Sequence, residues 1–118
     1  MSFTYSQILK KAKECVKSVE TKQELGINTK NAYYFSVLIL NPKLKTVPHL
    51  KLDFAPNPKG DYISNQISQK DYTSLANYLI KFAKKNHRLL NYKSWNSKKI
   101  SVKDYTYLLA RILIYQHI

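Results

Sequence analysis

The 118-residue chain has one cysteine, two glycines, three histidines and only seven acidic residues. Each scarcity removes a class of function. With Cys15 alone, no disulfide can close within the chain and no cysteine-based zinc site can assemble. His49, His87 and His117 have neither metal-ligand spacing nor an H-E-x-x-H arrangement, so no metal is expected. No glycine-rich loop is present to cradle a phosphate, and few acids are left for paired-carboxylate chemistry on a glycoside. The longest apolar runs, "YYFSVLIL" and "LLARILIY", are too short to span a bilayer, and the second carries Arg111. The start, "MSFTYSQILKK", puts no apolar stretch behind a basic leader, so a signal peptide is not expected. The expectation is a soluble segment that is not itself an enzyme and needs no cofactor.

Positive charge and tyrosine are plentiful. Twenty Lys and Arg against seven acids give +13, and Tyr supplies ten of the fifteen aromatic rings. A balance this basic favours an anionic partner: nucleic acid, an anionic membrane, or an acidic polymer such as a cell wall. The apolar fraction of 44% argues against disorder, and the length suits one domain or a short array.

The chain also writes one phrase twice. "ISQKDYTSL" at 67–75 and "ISVKDYTYL" at 100–108 agree at seven of nine positions, 33 residues apart. Self-similarity at such a spacing predicts tandem repeats. In both copies the serine, Ser68 or Ser101, is placed to cap a helix, and Asp71 or Asp104 falls in the first turn, where negative charge suits the helix dipole. Ile67 and Ile100 suit the preceding staple position. A weaker third copy, "INTKNAYYF" at 27–35, puts Asn28 at the cap and Asn31 at the aspartate place.

Four stretches have helical period. Tyr5, Ile8, Leu9, Ala12, Cys15, Val16 and Val19 share one face, with Gly26 as a terminator. A second helix is expected over about 29–40, stopped by Pro42. A third runs from about 69 to 85, with Tyr72, Leu75, Ala76, Leu79, Phe82 and Ala83 inward. The fourth, from Val102 on, is apolar nearly all round and is expected to be the central helix. Between the second and third lies a connection with three of the four prolines. There "HLKLDF" alternates and "NPKG" can turn, leaving room for a short β-hairpin within 44–64. The expected fold is all-α: about four helices in tandem units of ~33 residues with long irregular loops.

"FAKKNHRLLNYKSWNSKKISVKDYTYLLARIL" resembles the pseudomurein-binding repeat of methanogenic archaea and their viruses. Ala76, Asn86, Leu90-Asn91-Tyr92, Ile100-Ser101, Tyr105, Tyr107, Leu108 and Leu109 fill that family's pattern in order, with Leu90 where the family usually has proline. The resemblance implies a single wall-binding domain over 1–118: a degenerate unit at 5–40, a divergent unit at 41–82 and the best-matching unit at 72–115. It implies non-catalytic binding of pseudomurein, the archaeal wall polymer of amino sugars and peptide. The module would then target an attached wall-active domain, such as a cysteine endoisopeptidase of a prophage, or a surface protein. The expected location is the cell wall or outer face, or the cytoplasm until release for a lysis protein. A monomer is expected. The chain ends at "LIYQHI", still in helical pattern, which fits the expectation that it is one part of a longer protein.

A wall glycan presents hydroxyls, N-acetyl groups and flat apolar sugar faces, and its peptides add carboxylates. Aromatic platforms, amides and cations on an open surface suit such a ligand. "NHRLLNYKSWNSKK" offers all three on an expected loop, the usual place for function. The candidate binding residues are Asn86, Arg88, Asn91, Tyr92, Trp95, Asn96, Lys98, Lys103 and Tyr107. The competing reading makes Tyr92 and Trp95 covers over the core, Asn91 a turn former and Lys103 a solvated first-turn residue. The rival function is a small basic helical protein that binds nucleic acid. Its basic residues are spread through all segments, however, and its loops exceed the short turn of a helix–turn–helix.

Overall fold

A computed structural model describes residues 1–23, 27–60 and 67–117. Along the chain come β1 (Ser2–Thr4), α1 (Tyr5–Glu20), α2 (Asn31–Leu40), β2 (Thr46–Pro48), α3 (Gln69–Asn86), β3 (Tyr92–Trp95), β4 (Lys98–Ser101) and α4 (Val102–Gln116). The cap readings at α3 and α4 hold. Ser68 Oγ accepts from Asp71 N at 3.1 Å, and Ser101 Oγ accepts from Asp104 N at 3.4 Å while donating to Asp104 Oδ2 at 3.0 Å. Behind the caps, Ile100 is buried and Ile67 is half-buried against the core.

The third copy of the phrase does not cap its helix. Asn28 Oδ1 accepts from Lys30 N at 3.1 Å, closing a local turn, and α2 begins at Asn31 without a side-chain cap. At α1, a capping box pairs Thr4 with Gln7: Gln7 N donates to Thr4 Oγ1 and Thr4 N donates to Gln7 Oε1. The proposed terminator Gly26 lies outside the described residues. Helix α3 ends on His87, whose φ of 54° takes the left-handed C-cap role without a glycine.

Burial follows the periodicity of α1 and α3, but the centre is α2, not α4. Seven of its ten residues are buried, among them Tyr33, Tyr34, Phe35 and Leu38, and it packs against α1, α3 and α4. Helix α4 keeps Arg111 and Tyr115 exposed and lies against α1 and α2. The reason is composition: α2 is apolar on every side and must be surrounded, whereas α4 retains a polar edge.

The fold is mixed α and β, and it is not a tandem repeat. In a solenoid each unit meets only its sequence neighbours. Here α1 packs on α4, from opposite ends of the chain, and β1 pairs antiparallel with β2 in the register Phe3↔Val47. Phe3 then meets Tyr34 edge-on at 4.9 Å and His49 at 4.1 Å, and the Tyr34 phenol bonds both backbone groups of Leu50. The units at 5–40, 41–82 and 72–115 are therefore not structural equivalents. Only the cap phrase repeats, because Ser-x-x-Asp serves any helix start.

The hairpin expected within 44–64 does not form among the described residues. Instead "HLKLDF" keeps its alternation only through Leu52, buried between exposed Lys51 and Asp53, and Phe54 is exposed. The segment's partner is the chain after α3: Asp53 N donates to His87 O at 2.8 Å and Leu89 N donates to Asp53 O at 3.1 Å. The hairpin lies where a loop was expected. β3 and β4 pair antiparallel in the register Lys93↔Ile100, joined by Asn96 and Ser97 at φ 50° and 62°. Two left-handed residues give the turn that suits the strands' twist, and asparagine tolerates that conformation well.

Two features fix the hairpin in place, one against α4 and one against the segment that ends at Gly60. The buried Tyr105 phenol donates to Leu90 O at 2.7 Å. Gly60, at φ +100°, lies so close to the Lys99 carbonyl that a Cβ there would overlap it. Tyr105→Phe should cost about 1–2 kcal/mol, because the Leu90 carbonyl loses its partner. Burial also holds the Tyr105 phenol far above its usual value of 10.0. The stability from keeping it neutral is complete below that pH and falls as pH rises, since the unfolded chain releases the proton first. In urea melts, the gap between wild type and Tyr105→Phe should therefore narrow above about pH 10. Gly60→Ala, which adds steric overlap to a left-handed φ, should cost about 2 kcal/mol in the same assay.

Candidate functional site

The period of α3 sets Asp71, Ser74, Leu75, Tyr78 and Phe82 along one side. Alternation along β3 puts Lys93 and Trp95 on the face of buried Ile100, and Tyr92 and Ser94 on the face of Lys99. Helix and strand run past each other without closing, and an open groove of about 320 Å³ lies between them. It is lined by Tyr78 and Phe82 of α3, by Arg88, Leu90 and Asn91 of the connection, and by Tyr92, Lys93 and Ser94 of β3. A smaller hollow of about 80 Å³ shares Lys93 and Ser94 with it and is lined as well by Trp95, Ser74, Asp71 and Ile67. The groove has the size of a small-ligand cleft.

The groove is built of rings and cations. Tyr78 and Phe82 stack at 6.4 Å with planes 23° apart, and Tyr78 is 47% exposed. The Arg88 guanidinium lies 5.0 Å from the Phe82 centroid, the Lys93 ammonium 4.7 Å from that of Tyr78, and the Lys99 ammonium 4.8 Å from that of Tyr92. At exposed rings each such contact contributes roughly 0.5–1 kcal/mol, enough to orient a long side chain. Arg88 also donates to Leu89 O at 3.1 Å, and Lys93 donates to Ser94 O at 3.4 Å. The groove carries two cations and no carboxylate among its lining residues. Asp71 lines the smaller hollow, together with Lys93.

Three of the nine candidate residues, Arg88, Asn91 and Tyr92, meet along this groove, and a fourth, Trp95, lines the smaller hollow. Trp95 also packs on the core, the place the competing reading gave it. Asn91 has structural duties as well: its Oδ1 accepts from Asn57 N at 2.9 Å and its carbonyl from Lys59 N at 3.2 Å. Asn86, the last residue of α3, donates from Nδ2 to Phe82 O at 3.1 Å. Asn96 forms the hairpin turn, and Lys98 faces Trp95 across the ladder. Lys103 and Tyr107 are half-buried on α4, with the Arg111 guanidinium 5.5 Å from the Tyr107 ring. These last five are not groove-lining.

Tyr78 and Phe82 are the residues that sequence reasoning missed as site members. Phe82 had been placed inward by period, and it is indeed half-buried. Their i, i+4 spacing was the one available signal, but it does not say whether the neighbouring element covers the rings. Elsewhere, burial pushes the Cys15 thiol up to about 11, which leaves it protonated and unreactive at neutral pH. Among the described residues no group of three or more His, Cys, Asp or Glu side chains could hold a metal ion. No helix among them is long and apolar enough to cross a membrane.

The bonds at Asn91 generate a prediction. Asn91→Ala should loosen the 57–59 segment, lowering stability by about 1 kcal/mol and speeding amide exchange at Asn57, while Leu89 and Asp53 keep their protection. Hydrogen-exchange mass spectrometry or NMR reads this out, and unchanged exchange at Asn57 would refute the assignment.

No protein-family model, no curated protein and no solved structure matches this chain.

Proposed function

We propose that the chain is a non-catalytic binding module, that its ligand is the amino-sugar and peptide polymer pseudomurein, and that the groove between α3 and β3 makes the contact. One observation carries the reading: the stacked, partly open rings of Tyr78 and Phe82, flanked by Arg88, Lys93 and the Asn91–Tyr92 edge. Apolar sugar faces stack on such rings, and the flanking cations suit the polymer's carboxylates. The +13 charge concentrates the protein at an anionic wall before contact. The resemblance at residues 72–115 supports the same ligand, and the reading does not require the three-unit architecture that the fold overturned. In this proposal an attached wall-active or surface domain performs the chemistry, and the module works at the cell wall.

A second reading rests on the cations that lie over Tyr78, Phe82 and Tyr92. Rings with adjacent cations are also the parts from which single-stranded nucleic acid sites are made.

Co-sedimentation with purified pseudomurein sacculi tests the proposal. Wild-type protein should pellet at both low and high salt, and Tyr78→Ala, at an exposed ring, should lose most of the high-salt fraction. Failure to pellet at any salt would end the wall reading. Tight binding of a labelled single-stranded oligonucleotide that falls steeply with salt would establish the second.

A further inference from the structure

We propose that the groove contains a carboxylate site: Arg88 and Lys93 hold the acid, and Phe82, Tyr78 and Leu90 cover the short aliphatic chain that bears it. This deepens the wall-binding reading and rests on it for the ligand's origin, because it assigns the cations of the groove to the acidic peptide of the polymer and leaves the exposed part of the Tyr78 ring to its sugars.

The charge layout carries the argument. Arg88 comes from the connection after α3 and Lys93 from β3, so two separate elements bring cations to one concavity whose lining has no acid. Both side chains are half-buried and lie over rings, which partly strips their water and restrains their rotamers before a ligand arrives. Arg88 spends one nitrogen on Leu89 O, which leaves the rest of its planar fork for a carboxylate. Asp53 meets the Arg88 segment through backbone groups and is not part of the lining.

A smaller neighbouring hollow shares Lys93 and Ser94 with the groove and adds Asp71 and Ser74 to its lining. A uniform polyanion reaching from Arg88 past Lys93 would bring a charge toward Asp71, whereas a short peptide with its carboxylate at Arg88 can turn amide N–H groups that way.

The test titrates the full chain with acetyl-Ala-Glu, both carboxylates free, and with the neutral isostere acetyl-Ala-Gln-amide, following the ring resonances of Tyr78 and Phe82 by NMR. The acid should saturate these shifts, and the isostere should bind roughly tenfold more weakly or worse, as expected for losing a charge-assisted hydrogen bond. Arg88→Gln and Lys93→Gln should lose a similar factor, whereas Lys13→Gln, an equal charge change on the exposed side of α1, should not. The Lys93 ammonium lies over a ring and donates to its neighbour's carbonyl, so its variant remains informative if Arg88→Gln unfolds.

Equal binding of acid and isostere would overturn the proposal, as would no saturation or an equal loss in Lys13→Gln. The two levels separate cleanly. Sacculus pelleting that survives Lys93→Gln unchanged would remove the carboxylate site and keep the wall module. Saturable peptide binding by a protein that never pellets would keep the site and remove the wall.

Discussion

Helix α2 has no side that water can take. Its ten residues include seven that are buried, and the rest of the molecule is arranged to cover them. Helices α1, α3 and α4 each press on it, and β1 folds back along β2 so that Phe3 closes over Tyr34. A helix that is apolar all round cannot sit at the edge of an open array of units, because each end of such an array presents a face to solvent. The closed arrangement follows, with the first helix against the last.

Closure has a cost at the connections. Residues 53–59 form no hairpin of their own and instead run along the exit of α3, bonded to His87, Leu89 and Asn91. That strap, the Tyr105 phenol on Leu90 and the close approach at Gly60 hold the β3–β4 hairpin to the helices. The hairpin edge is thereby held beside α3 while a gap remains. Functionally, the groove is what the packing leaves open, and its walls are fixed by bonds outside it. Rigid walls with long cationic side chains resting on rings describe a site that loses little freedom when a ligand enters.

Much of the site's chemistry was visible as composition along one stretch of chain, yet its membership was not. Arg88, Asn91 and Tyr92, picked out by residue type, line the groove, and Trp95 lines the smaller hollow beside it. Asn96 and Asn86 had the right chemistry too, but backbone geometry claims them: one forms a two-residue turn, and the other bonds the helix carbonyl behind it. Tyr78 and Phe82 went unnoticed because a helical period assigns residues to a face and says nothing about what lies opposite.

Local rules operating over three or four residues were therefore decided by the sequence: the caps at Ser68 and Ser101, the inward faces of α1 and α3, the alternation through Leu52, and the inert setting of Cys15. These depend on bond geometry and on side-chain hydrophobicity, which act within a turn or a strand. The tertiary structure alone decided the pairing of β1 with β2, the contact of α1 with α4, the rank of α2 as centre, and the convergence of Arg88 and Lys93 on the rings of α3. The repeated nine letters misled for the same reason. A cap motif is satisfied within its own first turn, so two copies of it carry no information about how the helices they begin will pack.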